Sequence, residues 1–281
     1  MTIAHLGGAK APGPPLDAYV ETLWYQNIPI YQAREIILPS PYIELIFNFG
    51  RPHRVYEGAD LQAHEEHSVA WLAGPQSRYI TIESQTSHMV GARLKPGGAA
   101  ALFPQAVSSF ADRVVPLAEI IGVQKTSQLH ASLSAAGPLR FTLLEDFLRA
   151  QLDPRRRGLA LVLAAVARMQ AAGGNINLAA LSADLNVSHK HLIQQFTVLV
   201  GLRPKQFARV LRFAALLPSL GMQGTPDWAA LAQMAGYHDQ AHFNREFQRF
   251  AGLTPRQYIQ RRQAYREAYD LDGDTRFVPL G

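Results

Sequence analysis

The chain has 281 residues and no cysteine. That excludes disulfides, a thiolate metal site and a cysteine nucleophile, and it fits a reducing compartment. Long apolar runs are also missing. The nearest candidate, Leu159 to Ala167, falls far short of the roughly 20 residues that cross a bilayer. The N-terminus lacks a basic segment followed by an apolar stretch, the mark of a secretory leader. The cytoplasm is therefore the expected home, with no membrane partner. No Gly-x-Ser-x-Gly elbow or other catalytic string is present. Acidic residues are scarce in one region only. From Arg155 to Arg266 there are 15 basic and 4 acidic residues, net +11. Met1 to Pro154 carry 11 and 14, and Glu267 to Gly281 carry 1 and 4, each net −3. A basic module beside a mildly acidic one is the charge pattern of a nucleic-acid binder with a second function.

The basic region contains a duplicated segment. Residues 178–211 read LAALSADLNVSHKHLIQQFTVLVGLRPKQFARVL, and 228–262 read WAALAQMAGYHDQAHFNREFQRFAGLTPRQYIQRR. They align at an offset of 50 residues as far as Val187 and Tyr237, and at 51 from Ser188 and Asp239 onward. Each copy reads as helix, turn, helix. Asn177 is a candidate N-cap, Leu178, Leu181 and Leu185 recur at helical spacing, and Asn186 suits a left-handed helix end. Ser188 can cap a second helix whose core face is Leu192, Phe196 and Leu199. In the second copy Thr225-Pro226 opens a helix with Trp228, Leu231 and Ala235 inward. Gly236 makes the turn, and Asp239 caps a helix with Phe243, Phe247 and Phe250 inward. Both copies close in Gly-Leu-x-Pro and a further helix. The helix from Pro204 to about Leu217 would be about 21 Å long. As a rigid strut it would let one chain address adjacent major-groove segments.

Residues 159–266 resemble the DNA-binding domain of AraC/XylS-type transcription regulators. The resemblance rests on Ala235-Gly236-Tyr237, on Gln240-Ala241-His242-Phe243-Asn244-Arg245-Glu246-Phe247 and on Gly252-Leu253-Thr254-Pro255-Arg256-Gln257-Tyr258. It implies seven helices, two helix-turn-helix units and a linking helix. It also implies that the second helix of each unit enters the major groove. Carried over, the base-contacting candidates are Lys190, Ile193 and Gln194 in the first unit, and Gln240, Ala241, Asn244 and Arg245 in the second. Their chemistry suits the role. Arg and Lys donate to guanine, Gln and Asn pair with adenine, and Ile and Ala meet a thymine methyl. Ser188, His189, His191, Arg209, Asp239, His242 and Arg256 are the candidates beside the DNA backbone, and Arg212 and Arg261 stand open between phosphate contact and solvent. The Arg155-Arg156-Arg157 run is open between a solvated helix start and a phosphate contact.

Residues 1–150 alternate as strands over Tyr42–Phe49, Glu35–Leu38, Ser68–Leu72, Arg78–Glu83 and His88–Leu94. Helices are expected over Gly98–Leu102, Leu117–Ile121 and Leu139–Leu152. The module resembles an uncharacterised domain found ahead of AraC-type DNA-binding domains. The carrying residues are Pro39-Ser40-Pro41-Tyr42-Ile43-Glu44-Leu45-Ile46-Phe47-Asn48, Ala73-Gly74-Pro75, Gly91 to Ala99 and Asp112 to Leu117. By analogy it is a sensor or dimerisation domain, cupin-like at the level of fold. His64-Glu65-Glu66-His67 lacks zinc-protease spacing and reads as a solvated loop. Lys95-Pro96-Gly97-Gly98 reads as a turn into a helix. The aromatics Trp24, Tyr25, Tyr42, Phe47, Phe49 and Trp71 read first as core, with a pocket lining as the alternative.

The expected fold is α+β. A small β-barrel or sheet with helices fills 1–150, a linker 151–158, a helical DNA-binding domain 159–266 and an acidic tail 267–281. The expected function is sequence-specific transcription regulation, controlled by a small-molecule effector at the N-terminal module, in an unassigned pocket. The alternatives are an N-terminal module that only dimerises, or an enzyme domain on a DNA-binding tail. Double-stranded DNA, an effector, RNA polymerase and a second copy of the chain are the expected partners. No enzymatic activity, catalytic residue, cofactor or metal is expected. DNA-repair alkyl acceptors that use AraC-like helices need an acceptor cysteine, which this chain lacks.

Overall fold

A computed structural model of the chain describes residues 7–29, 34–57, 61–221, 228–234, 236–269 and 276–280. The N-terminal half is built from β1 (Gly7–Lys10), β2 (Val20–Pro29), β3 (Arg34–Ile37), β4 (Ile43–Asn48), β5 (His53–Glu57), β6 (Glu65–His67), β7 (Ala70–Ala73), β8 (Ile80–Glu83) and β9 (Thr86–Leu94). Then come α1 (Gly98–Leu102), β10 (Val114–Pro116), α2 (Leu117–Ile121), α3 (Val123–Ala135) and α4 (Arg140–Gln151). The C-terminal half holds α5 (Leu159–Ala171), α6 (Leu178–Asp184), α7 (His189–Val200), α8 (Pro204–Leu216), α9 (Trp228–Met234), α10 (Gln240–Ala251), α11 (Pro255–Tyr269) and β11 (Phe277–Pro279).

Two antiparallel sheets, ordered β1-β2-β9-β4-β7-β10 and β11-β3-β8-β5-β6, share the N-terminal half. The alternation of β4 shows how the layers divide. Ile43, Leu45 and Phe47 are buried against the helices, in one cluster with Leu72, Val90, Ala92, Leu117, Leu144 and Leu148. Ile46, one residue out of phase, faces the other sheet with Trp24, Trp71, Met89, Ile37, Val55, Ile80 and Ile82. A one-residue slip would exchange these faces, so the register is strongly specified. Gly91 allows the sheet to close up, because a Cβ there would lie 2.5 Å from Trp24 Cζ2. Lys95-Pro96-Gly97-Gly98 is the expected turn, with Gly97 at φ 85° and α1 starting at Gly98.

The structure adds elements that the sequence pattern does not reveal. The ten-residue β2, and β1, β5, β6, β10, β11 and α3, lie outside the expected strands and helices. The His64–His67 segment is not a solvated loop from Glu65 on. β6 pairs with β5, His67 is buried, and its ring packs 5.8 Å from Trp71. Arg156 is neither solvated nor free for phosphate. Its guanidinium donates to the carbonyls of Ala100, Phe103, Pro104 and Gln105, where the end of α1 leaves acceptors unsatisfied. Residues 151–158 are therefore tied to the N-terminal module. The tail docks too. β11 pairs antiparallel with β3, and Arg261 and Arg262 of α11 donate to the carbonyls of Pro279 and Phe277.

The two halves share one continuous buried cluster. α7 packs on α1 and on the turn Val107–Ser109. The Gly-Leu-x-Pro turns of both repeats meet the connection between β7 and β8, residues 74–79, and the first also meets Val107. A Cβ on Gly201 would lie 2.6 Å from Pro75 Cγ, and one on Gly252 would lie 2.6 Å from Tyr79 Cζ. Both glycines are left-handed, at φ 92° and 66°, as helix ends of this kind require.

Candidate functional site

The duplicated sequence folds as two helix-turn-helix units, α6–α7 and α9–α10. Asn177 Oδ1 accepts from the N–H groups of Ala179 and Ala180 at 2.9 and 3.1 Å, starting α6. Asn186 ends it in the left-handed region at φ 55°. Ser188 Oγ accepts from His191 N at 3.2 Å and starts α7. Leu192, Phe196 and Leu199 are buried, Ile193 is half-buried, and His189, Lys190, His191 and Gln194 are exposed. In the second unit Asp239 Oδ1 accepts from His242 N at 2.6 Å and starts α10. That N–H, with the ring of His238, holds the Asp239 carboxyl below its ordinary pKa. Phe243, Phe247 and Phe250 are buried. Trp228 stacks on Phe243 at 6.3 Å. Gln240, Ala241, Asn244 and Arg245 are exposed on the opposite side of α10. Thr225, Pro226 and Ala235 lie outside the described residues. Leu231 is only half-buried, and Ala232 supplies the fully buried position of α9.

Each unit thus presents one helix with a polar outer strip and a capped N-terminus. The strip can reach base edges, and the free N–H groups of the first turn suit phosphate oxygens. Ser188 and Asp239 already use their side chains as caps. His242 is half-buried, edge-on to Tyr237 at 5.5 Å.

The flanking arginines divide sharply. Arg209, expected beside the DNA backbone, is engaged inside the protein: its Nε and Nη2 bond Glu246 at 2.8 and 2.6 Å and its guanidinium lies 5.5 Å from the Phe250 ring centre. It clamps α8 to α10. Arg212 donates to the Gly174 carbonyl at 2.9 Å, and Arg261 to that of Pro279 at 3.0 Å. Arg256 is exposed, as are Arg203, Lys205 and Arg249, three cations that the sequence reading passed over. Nothing in residue type distinguishes the clamping arginines from the exposed ones. Only the acidic or carbonyl partner across the fold does.

A second site lies between the two sheets. A cavity of about 400 Å³ is lined by Trp24, Tyr42, Glu44, Ile46, His53, Trp71, Met89, Arg93, Arg276 and Phe277 among others. Of the aromatics weighed from sequence, Trp24, Tyr25, Tyr42 and Trp71 line it, whereas Phe47 is fully buried among the helices. At one end Glu44 receives Arg93 Nε at 2.7 Å, Arg276 Nη2 at 3.3 Å and Trp24 Nε1 at 3.1 Å. At the other, His53 packs 5.3 Å from Trp71, with His67 on the same indole. Burial, reinforced by neighbouring His67, pushes the His53 pKa down to about 4, and burial also lowers that of His67. Both imidazoles are uncharged at neutral pH. The sequence pattern gave no signal for His53 or Arg276, since each owes its place to strand pairing. Among the described residues no group of His, Asp or Glu could hold a metal ion. Among them too, no helix is long and apolar enough to cross a membrane.

Two family models match the chain. Residues 10–116 match a domain of unknown function (DUF6597), and residues 181–261 match a helix-turn-helix domain. No curated protein matches. Among solved structures, the C-terminal domain of AraT, a response regulator from Geobacillus stearothermophilus, is similar at 22% identity. That match covers 36% of this chain and 84% of that one, with a TM-score of 0.33. ToxT from Vibrio cholerae is similar at 8% identity, covering 85% and 98%, with a TM-score of 0.45. A ToxT structure with bound unsaturated fatty acid matches at 8% identity over 92% and 95%, TM-score 0.43. These likenesses are too distant to assign residues or ligands.

Proposed function

We propose that the chain is a DNA-binding transcription regulator of the AraC type, reading DNA with the helix-turn-helix domain at residues 181–261, and that its N-terminal module is an effector sensor acting on both units. No observation favours the fused-enzyme alternative. In this reading Lys190, Ile193 and Gln194 of α7, and Gln240, Ala241, Asn244 and Arg245 of α10, contact bases. Backbone contacts come from the starts of the two helices, near Ser188, His189, His191, Asp239 and His242, and from Arg256. RNA polymerase and a second copy of the chain are further partners in the same reading, and the cytoplasm is its location.

One observation carries the sensor role. The β7–β8 connection has two faces. Gly74, Gln76 and Ile80 line the cavity. Pro75 and Tyr79 meet Gly201 and Gly252, the equivalent turns after α7 and α10. A ligand that binds one placement of this connection better than another must shift how both reading helices are held. A ligand without such a difference shifts nothing. The coupling expected for such a route is about 1–3 kcal/mol, or roughly 5–150-fold in operator affinity.

Tyr79→Ala tests the route. The variant is expected to bind a cavity ligand as the parent does, yet to lose most of the ligand-induced change in operator affinity measured by fluorescence anisotropy. An unchanged response rejects the connection as the route. A parent chain whose operator affinity ignores every cavity ligand would favour the dimerisation-only alternative.

A further inference from the structure

Four observations bear on what the cavity accepts. First, its wall is mostly hydrocarbon and aromatic, with Ile46, Trp71, Ile80, Ile82 and Met89 around the middle. Second, its volume of about 400 Å³ exceeds the roughly 150 Å³ that holds a benzene ring, leaving room for a substituted ring. Third, at the charged end two guanidinium groups already share one carboxylate. Both carboxylate oxygens of Glu44 are engaged, by Arg93 and Arg276 on one and Trp24 on the other. An anion entering there would have to sit beside the Glu44 carboxylate, which both guanidinium groups already hold. Fourth, His53 is 5% exposed, lines the cavity, and its Nε2 is buried with no hydrogen-bond partner among the described residues. The Thr86 backbone carbonyl lies within reach of the ring, and with Nε2 unpartnered the nitrogen that faces it is Nδ1. In an uncharged imidazole Nδ1 is then the donor to the carbonyl, and Nε2 presents a lone pair.

Buried polar atoms are almost always paired, and an exception calls for a partner. We propose that the cavity takes an uncharged, largely apolar ligand, one substituted ring in size, whose single hydroxyl or N–H donates to His53 Nε2. The inference rests on the reading of the cavity as the effector site. Trp71, held between His53 and His67, gives the ring a flat surface, and the Glu44 end stays closed on itself.

Calorimetric titration of the full chain with three probes of one shape tests this. They are 4-propylphenol, which donates; 4-propylanisole, which cannot; and 4-propylbenzoate, which is anionic. The phenol is expected to bind at least about tenfold more tightly than the anisole, because a site built around a hydrogen bond rejects the analogue lacking it. The benzoate is expected to bind more weakly still. His53→Phe should bring phenol and anisole to within about threefold of each other. His53→Gln, which keeps an acceptor, should retain the preference, and thermal unfolding of both variants checks that they fold. Equal phenol and anisole binding, tightest binding of the benzoate, or heat from none of the three overturns the proposal. Phenol binding that leaves operator affinity unmoved overturns the effector reading while the ligand class stands.

Discussion

Phe247→Ala is expected to remove about 3–5 kcal/mol of stability from the C-terminal domain. Phe247 is fully buried, and its ring lies 5.3 Å from Phe213, 5.8 Å from Phe243 and 5.7 Å from Tyr258. These contacts join α8, α10 and α11, so truncation opens a cavity where three helices meet. The first unit has a smaller version of the same arrangement, Phe196 against Phe207 at 5.2 Å. Loss of the Phe247 ring should release the clamp beside it as well, since Glu246 holds Arg209 from the same helix. Urea unfolding followed by circular dichroism measures the effect. A loss below about 1 kcal/mol would mean that α10 is not held as described.

Arg245→Ala is expected to weaken binding to the cognate operator by about 1–3 kcal/mol, roughly 5–150-fold, while binding to unrelated duplexes changes little. Arg245 is exposed on the outer face of α10, one residue from the exposed Asn244 and one turn beyond Ala241. A guanidinium there can meet guanine O6 and N7 together. Arg245→Lys should restore only part of the loss, because an ammonium lacks the planar fork. Arg209→Ala is the informative contrast. Its side chain is committed to Glu246, so it should lower stability and affect all DNA sequences alike. Equal operator binding by the parent and Arg245→Ala in anisotropy titrations would remove Arg245 from the base contacts.

How far the sequence could be read depended on where each signal was stored. The reading units were legible because their signals are local. Caps at Asn177, Ser188 and Asp239, left-handed residues at Asn186, Gly201 and Gly252, and inward aromatics at helical spacing all act within a few positions. The helices Gly98–Leu102 and Leu117–Ile121 were legible for the same reason. β4 and β9 showed clean alternation because one face packs on helices. β2 did not, since its inner positions Thr22, Trp24 and Gln26 face a cavity that accepts polar and aromatic groups alike. β5 and β6 were hidden by charged outer residues around the buried His53 and His67.

The partners of arginines were the least legible of all. Arg156 finds its carbonyls 51 to 56 residues away, and Arg276 finds Glu44 at a separation of 232. Such pairings exist only once the sheets and helices are assembled. The count of basic residues in 155–266 therefore overstates the side chains free to reach phosphates, because Arg156 and Arg209 are held at both ends of their guanidinium groups, and Arg212 and Arg261 at one nitrogen, inside the protein. The cavity was weighed from its aromatics, but its donor and acceptor pattern became visible only when β11 and β5 were brought to the same space.

The central claim is that two tandem helices, α7 and α10, read bases in neighbouring turns of one duplex. Selection of bound duplexes from a randomised pool by the full chain measures this directly. The account predicts enrichment of two base clusters about one helical turn apart, roughly 10 base pairs, bound more than about a thousandfold above the unselected pool. Recovery of a pool with no preferred sequence, or of a single cluster that Lys190, Gln194 and Ile193 do not influence, would contradict it.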